Sequence, residues 1–354
     1  MFAPVMVSSV RSTPLRVVAL TSGEHTPSSR FRVRQYIPRL ATRGIEVREH
    51  ASHPEKFSGR PFYMPKALWR QVLLYGRREG LRAASEADVV WLERELISGE
   101  RTLEHRAGRG ERRIFDVDDA IWMNGPKDFS ESIVRECAGV IAGNEFLAEH
   151  YRPHAKRVWV VPTSVDPARW KVDPAPRGSA KFTVGWTGTS GNYPFLRALE
   201  KPLAQFLGER EDAEFLVVAD RPFDGVKIPR MRFERWTEAT EPGHVRAMDV
   251  GVMPLPDTEW ARGKCAAKML VYLAAERPAV VSPVGVNAEV LARGDVGMAA
   301  KTDDDWYRHF VTLYEDRERA SAMGRRGLAL VESAYSVDVC AETLVKAFTE
   351  VAGA

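Results

Sequence analysis

Arg262, Lys264 and Lys268 crowd a segment between two apolar runs, DVGVM (249–253) and PAVVS (278–282). The pattern predicts a helix from Gly263 to Ala275, with Lys264 and Lys268 four residues apart on one face of its first turns. A helix amino terminus is partly positive, so cations there are unfavourable by roughly 0.3–1 kcal/mol each unless an anion answers them. A diphosphate would do so, taking both the side-chain charges and the free backbone N–H groups. A solvated basic surface is the competing reading. A second turn, Gly188-Thr189-Ser190-Gly191-Asn192, follows the run KFTVGW (181–186). Its small residues would let an anion approach the backbone closely. Neither this turn nor the loop from Thr21 to Arg30 contains GxGxxG, which speaks against a dinucleotide oxidoreductase.

Carboxylates gather in the first half. Asp116, Asp118 and Asp119 close the run RRIFDV (112–117). Crowded carboxylates raise the pKa of at least one member unless cations or hydrogen-bond donors offset the repulsion. A metal, the hydroxyl groups of a sugar, or Arg side chains from a neighbouring loop would serve, and an Asp-rich helix cap is the structural alternative. Glu93 and Arg94 end the run DVVWL (88–92), with Arg94 placed to neutralise part of the cluster. Arg30 stands near the start of a predicted helix after the first strand and invites the same anion argument as Lys264. His25, in the loop before it, is a candidate acceptor-side residue. The His residues contain no HExxH pairing, so a His-based metal site is not expected.

The elements that must position these groups recur with a rhythm. Six short β-branched runs (16–20, 45–47, 88–92, 112–117, 139–143, 157–161) alternate with helical periodicity. After the Pro-rich segment 166–179 six more follow: 181–186, 214–218, 231–233, 249–253, 278–282 and 296–300. Continuous apolar strands separated by helices imply parallel sheets covered on both faces. The 354 residues therefore divide into a loose tail (1–14), a first α/β domain (15–172) and a second (173–335), followed by a terminal segment (336–354). In doubly wound sheets ligands bind beyond the carboxyl ends of the strands, where the groups above lie.

Lys plus Arg exceed Asp plus Glu by three, 51 against 48, too little for a general polynucleotide-binding field. Cys137, Cys265 and Cys340 form no CxxC pair, so neither a disulfide framework nor a zinc site is indicated, and a reducing cytoplasm fits. No run approaches the ~18–20 apolar residues of a membrane span, and residues 1–14 lack the apolar core of a signal peptide. Residues 60–82 interleave Arg60, Lys66, Arg70, Arg77, Arg78 and Arg82 with Phe62, Tyr63, Trp69 and Tyr75. Two readings stay open: weak rest on an anionic membrane, or a helix whose apolar face meets its own core.

Taken in order, Ser28-Ser29-Arg30, Phe115–Trp122, Val140–Glu149, Val161–Asp166, Val184–Gly188, Asp249–Leu255, Arg262–Lys268, Val281–Gly285 and Ala334–Ser336 resemble the GT-B glycosyltransferases of the retaining family 4. The nearest likeness is to bacterial members with a D-x-D-D element and an RGK helix. The resemblance implies two Rossmann-like domains facing across a cleft, a nucleotide-sugar donor held by the second and an acceptor by the first, and a last helix crossing back to the first domain. In that frame Lys264 and Lys268 stand at the donor diphosphate, the Gly188–Asn192 loop beside it, and Arg235 and Trp236 near the nucleobase. Arg262 and Gly263 complete the donor set, while His25, Arg30, Glu93 and Arg94 fall on the acceptor side. The two Glu of the family's E-x7-E pattern are Gly263 and Val271 here. The activity implied is sugar transfer from a UDP- or GDP-sugar to an acceptor hydroxyl with retention. Lys264 and Lys268 would stabilise the departing diphosphate, and Asp116, Asp118 and Asp119 would orient hydroxyls. No cofactor or metal is implied beyond the nucleotide-sugar co-substrate. A nucleotide-sugar epimerase and a non-catalytic nucleotide-sugar-binding protein are the alternatives on the same fold.

Overall fold

The computed structural model describes residues 13–56, 59–171 and 181–353. Tail residues 1–12 and the inter-domain boundary at 172–173 lie outside the described residues. All twelve apolar runs are strands. The first six are β1 (Leu15–Thr21), β2 (Ile45–Ala51), β3 (Val89–Glu93), β4 (Arg113–Val117), β5 (Gly139–Ala142) and β6 (Val158–Val160). They form one parallel sheet in the order β2-β1-β3-β4-β5-β6. The second sheet holds β7 (Phe182–Thr187), β8 (Ala213–Ala219), β9 (Met231–Arg235), β10 (Val250–Met253), β11 (Ala279–Val281) and β12 (Gly297–Ala299). Its order, β12-β11-β10-β7-β8-β9, is also wholly parallel. β3, β4, β5, β7, β10 and β11 are buried at every residue because helices cover both faces, so their sequences run apolar without alternation.

Strand order reverses between β1 and β3 in the first sheet and between β7 and β10 in the second. At such switch points the two flanking connections leave toward opposite faces and open a crevice at the strands' carboxyl ends. The two crevices face each other. Gly263, in the second domain, lies so close to Ala120 of the first that a Cβ there would come within 2.8 Å of the Ala120 Cβ. The amide of Asn144 donates to the Gly263 carbonyl at 3.0 Å, and the Cys265 thiol donates to the Asp118 carbonyl at 3.3 Å.

The helix Val337–Ala352 begins on a Ser336 cap that accepts from the Val339 N–H. It buries Val337, Cys340, Ala341, Leu344, Ala347, Phe348 and Val351 in the core of the first sheet, with the Phe348 and Trp91 ring centroids 5.0 Å apart. The chain re-enters the first domain beside the strand by which it left. Val165 N–H donates to the Tyr335 carbonyl at 3.0 Å, and Val337 N–H to the Val165 carbonyl at 3.1 Å.

Candidate active site

Of the helix expected over Gly263–Ala275 only Ala267–Ala274 forms; Glu259–Arg262 is a separate helical turn before it, and the connection between them ends on Ala266 in the left-handed region (φ 53°). Only Lys268 therefore stands in a helical first turn. Lys264 lies in the connection, 3.6 Å from Asp119 and over the Trp260 ring. Arg262 leaves the group altogether, since its guanidinium turns outward to Asp257 at 2.9 Å. The turn still brings Lys264 and Lys268 together against Trp186 and Asn192. The Lys268 ammonium sits 5.7 Å from the Trp186 ring centroid, and a Cβ on Gly188 would come within 2.6 Å of its stem, so glycine is what lets this side chain pass. Burial above all, with the neighbouring charge of Lys264, brings the Lys268 pKa down to about 8 against the pull of Asp119. A cation held at such cost calls for an anion.

A cavity of about 380 Å³ opens between the domains beside Lys268. The second domain lines it with Thr187, Gly188, Thr189, Asn192, Asp220, Trp236, Glu241 and Val271, the first with His25, Arg30, Phe31, Asp118 and Thr163. The Thr187 hydroxyl and the Arg30 Nε are buried without a hydrogen-bond partner, so two lining residues keep polar capacity for a ligand. Asp220 pins the loop after β7, accepting from the Ser190 N–H at 2.6 Å and the Ser190 hydroxyl at 2.8 Å. These bonds hold its carboxyl below the usual range although burial opposes them. Ser190 and Gly191 accordingly lie outside the cavity lining, as does Arg235, which is exposed.

The three carboxylates at the end of β4 separate by role. Asp116 is buried, holding the Arg32 Nε at 2.8 Å and the Trp91 Nε1 at 3.0 Å, and is unavailable to a ligand. Asp118 reaches the cavity, while Asp119 faces Lys264. Arg94 joins them, with Nη1 3.3 Å from Asp118 and 3.0 Å from Asp119. It holds a left-handed backbone (φ 55°), fixed by its N–H bond to the Asp116 carbonyl at 2.9 Å. Burial pushes the Asp118 carboxyl up to about 6; Arg94 opposes this and the charge of Asp119 adds to it.

Glu93 is internal scaffolding. It accepts from the Ser22 N–H at 2.8 Å and the Ser29 hydroxyl at 2.6 Å and so ties down the loop after β1. That loop presents exposed His25 to the cavity and leads to Arg30, whose Nη1 reaches Glu241 of the second domain at 2.7 Å. Arg30 thus has a carboxylate in place of the anion expected from sequence. Glu241 and Asp220 were not legible as site residues. Asp220 could have been found as an acid at the carboxyl end of β8, beside the switch point, whereas Glu241 meets Arg30 across 211 residues with no local signal.

The two positions aligned with the E-x7-E pattern are Gly263 and Val271. Gly263 sits where a side chain would strike Ala120, and Val271 presents an apolar wall to the cavity. Among the described residues no group of three or more His, Cys, Asp or Glu side chains is arranged to hold a metal ion. The one His-x3-His spacing does not converge, since His150 bonds Glu131 at 2.6 Å and His154 meets Arg135. No helix among the described residues is long and apolar enough to cross a membrane.

No protein-family model matches the sequence, and no curated protein matches it either. Solved structures do. Sucrose-phosphate synthase from Thermosynechococcus elongatus superposes with a TM-score of 0.67 at 13% identity, over 95% of this chain and 99% of that one. HepE of Anabaena, solved with UDP and glucose, gives 0.65 at 13% identity over 95% and 99%. WaaG, a glycosyltransferase involved in lipopolysaccharide biosynthesis, gives 0.66 at 12% over 92% and 98%. At these identities the likeness establishes the fold: two Rossmann-like domains facing across a cleft, the GT-B architecture.

Proposed function

We propose that this protein is a glycosyltransferase of the hexosyl class, moving a sugar from a UDP- or GDP-sugar to an acceptor hydroxyl. The observation that carries the reading is Lys268, a desolvated cation in a helix's first turn, beside the Gly188–Asn192 loop in the inter-domain cavity. Such a group stabilises charge that develops on a departing nucleoside diphosphate, and Lys264 adds to the field. Trp236 offers a flat face for the base, and Asp118 a carboxylate for a hydroxyl of donor or acceptor. The reaction runs with retention in the manner of family 4, in the bacterial cytoplasm, with no cofactor or metal beyond the nucleotide-sugar. The acceptor is a carbohydrate, glycolipid or small molecule at the His25–Arg30 side, and nucleic acid is not a partner. Weak peripheral contact of residues 60–82 with a membrane belongs to the same reading.

A thermal-shift screen with UDP, GDP, ADP and TDP tests the donor half, because a ligand bound only by the folded state raises the melting temperature. Donors incubated with and without acceptors, followed by diphosphate release, test the rest. Turnover of donor without acceptor would make the protein an epimerase or hydrolase, and binding without turnover a scaffold.

The two perturbed groups predict the pH profile. Asp118 accepts a hydrogen bond best when ionised, so kcat/KM rises as pH passes about 6. Lys268 must be charged, so kcat/KM falls as pH passes about 8. In Asp118→Asn the acid limb disappears and turnover drops more than donor affinity. A wild-type profile in that variant would return Asp118 to a structural role.

A further inference from the structure

Arg30 and Glu241 come from different domains, are exposed by only 9% and 4%, and meet at 2.7 Å in the lining of the inter-domain cavity. A buried ion pair repays the loss of its hydration only when the remaining donors and lone pairs are engaged as well. In this pair they are not. Among the described residues Nη1 carries the only hydrogen bond of the Arg30 guanidinium, and its Nε is buried with no partner. Glu241 Oε2 takes that one bond, and Oε1 accepts none among the described residues. The rings of Phe31 and Trp236 lie beside the guanidinium, with centroids 4.4 and 5.5 Å from its central carbon. Unspent donors and acceptors in such apolar surroundings are costly until a ligand takes them up.

The position of the pair narrows what that ligand is. Lys268 and Val271 line the cavity one helical turn apart, and the helix Glu241–Arg246 packs on the helix that carries them. With a diphosphate at Lys268 and a base at Trp236, the ribose is the part of a nucleotide that remains between them. Its vicinal diol suits the pair, since one hydroxyl donates to a carboxylate while its neighbour accepts from a guanidinium. The other candidates on the second domain's wall are spent or apolar: both oxygens of Asp220 are held by Ser190, and Val271 offers a hydroxyl nothing.

Deepening the glycosyltransferase reading on which it rests, we infer that Arg30 and Glu241 together bind the ribose diol of the donor, in a subsite built across both domains. The domain assigned to the acceptor thereby also selects the donor, and it selects ribonucleotides.

The test takes the full chain with UDP and GDP, each beside its 2′-deoxy and 3′-deoxy counterparts. Calorimetry gives the dissociation constants, and melting temperatures are read on the same samples. For whichever base is accepted, removing either hydroxyl is expected to weaken binding about 10- to 100-fold, the range for one hydrogen bond to a charged group. Glu241→Gln keeps the shape but not the charge, and the ribose preference shrinks to a few-fold. Arg30→Met with Glu241→Met replaces the ion pair by apolar side chains of similar length, which preserves the fold and brings ribo- and deoxynucleotide within about threefold of each other. Deoxy forms that bind the wild type as tightly as the ribonucleotides overturn the inference. So does a ribose preference that survives in the double variant, or one whose ratio is unchanged while all affinities fall, because a mere bridge between domains acts on both nucleotides equally. The same samples judge the transferase reading separately. Nucleotide shifts without a ribose preference remove the subsite alone, whereas no shift with any nucleoside diphosphate removes both.

Discussion

Replacing Lys264 and Lys268 together by Ala is expected to abolish most affinity for nucleoside diphosphate and to lower turnover by about 10³-fold or more. Loss of one preorganised electrostatic contact typically costs about 10²–10³ in kcat. Lys268 carries the larger share, since it lines the cavity and stands in the helix's first turn, whereas Lys264 is divided between the cleft and Asp119. The two lysines share one field, so their effects will not add, and a double-mutant cycle measures the coupling. Stability should move the other way. The Lys268 pKa lies near 8 against an ordinary 10.5, so the folded protein pays for the charged form at neutral pH. That penalty is present in full below the folded pKa and vanishes above the unfolded one, and the interval corresponds to up to about 3 kcal/mol. Lys268→Met should therefore raise the unliganded protein's melting temperature at pH 7 while removing the UDP-induced shift. Wild-type nucleotide affinity in the double variant would refute the assignment.

Arg94→Met is expected to cost about 3–5 kcal/mol of stability, toward the lower end, because it strips the counter-charge from a buried carboxylate cluster. Arg94 lies within 3.3 Å of both Asp118 and Asp119, and the charges of Glu93 and Glu95 also act on it. Asp118 can soften the loss by taking up a proton. Its folded pKa, about 6, already exceeds the ordinary 3.8, so its contribution favours the fold at acid pH and is lost as pH rises through that window. Without Arg94 the window extends upward. Denaturant titrations should show the variant close to wild type near pH 4 and furthest from it above pH 7, with Arg94→Lys intermediate. A uniform deficit across pH would show that the left-handed backbone at Arg94, and not its charge, is what matters.

The twelve strands were legible because each is a short run rich in apolar residues closed by polar or small ones, and in the six strands buried at every residue no alternation is left to misread. The loops at the strand ends were legible for the same reason. What each side chain does there was not. Asp116, Asp118 and Asp119 look alike in sequence, yet Arg32 and Trp91 reach Asp116 from elements 84 and 25 residues away and take it out of the cleft. Glu93 resembles an acceptor-side acid until Ser22 and Ser29 fold over it. Arg262 belongs to the same RGK triplet as Lys264, but a break in the helix turns it to the other side. Helical periodicity across 263–275 could not reveal that break, because Ala266 adopts a conformation that its residue type does not advertise.

The helix Val337–Ala352 has a consequence for how the protein is made. Its apolar face completes the core of the first domain, yet the ribosome delivers it only after the whole second domain has been synthesised. Until then the groove beside Trp91 and Leu40 lies open. A fragment ending near Lys171 would keep that groove exposed, and a stop codon shortly before Val337 would injure the domain furthest from it in sequence. The halves that face each other across the cleft thus share one fate in biosynthesis, and proteolysis between them should not yield two independent stable pieces.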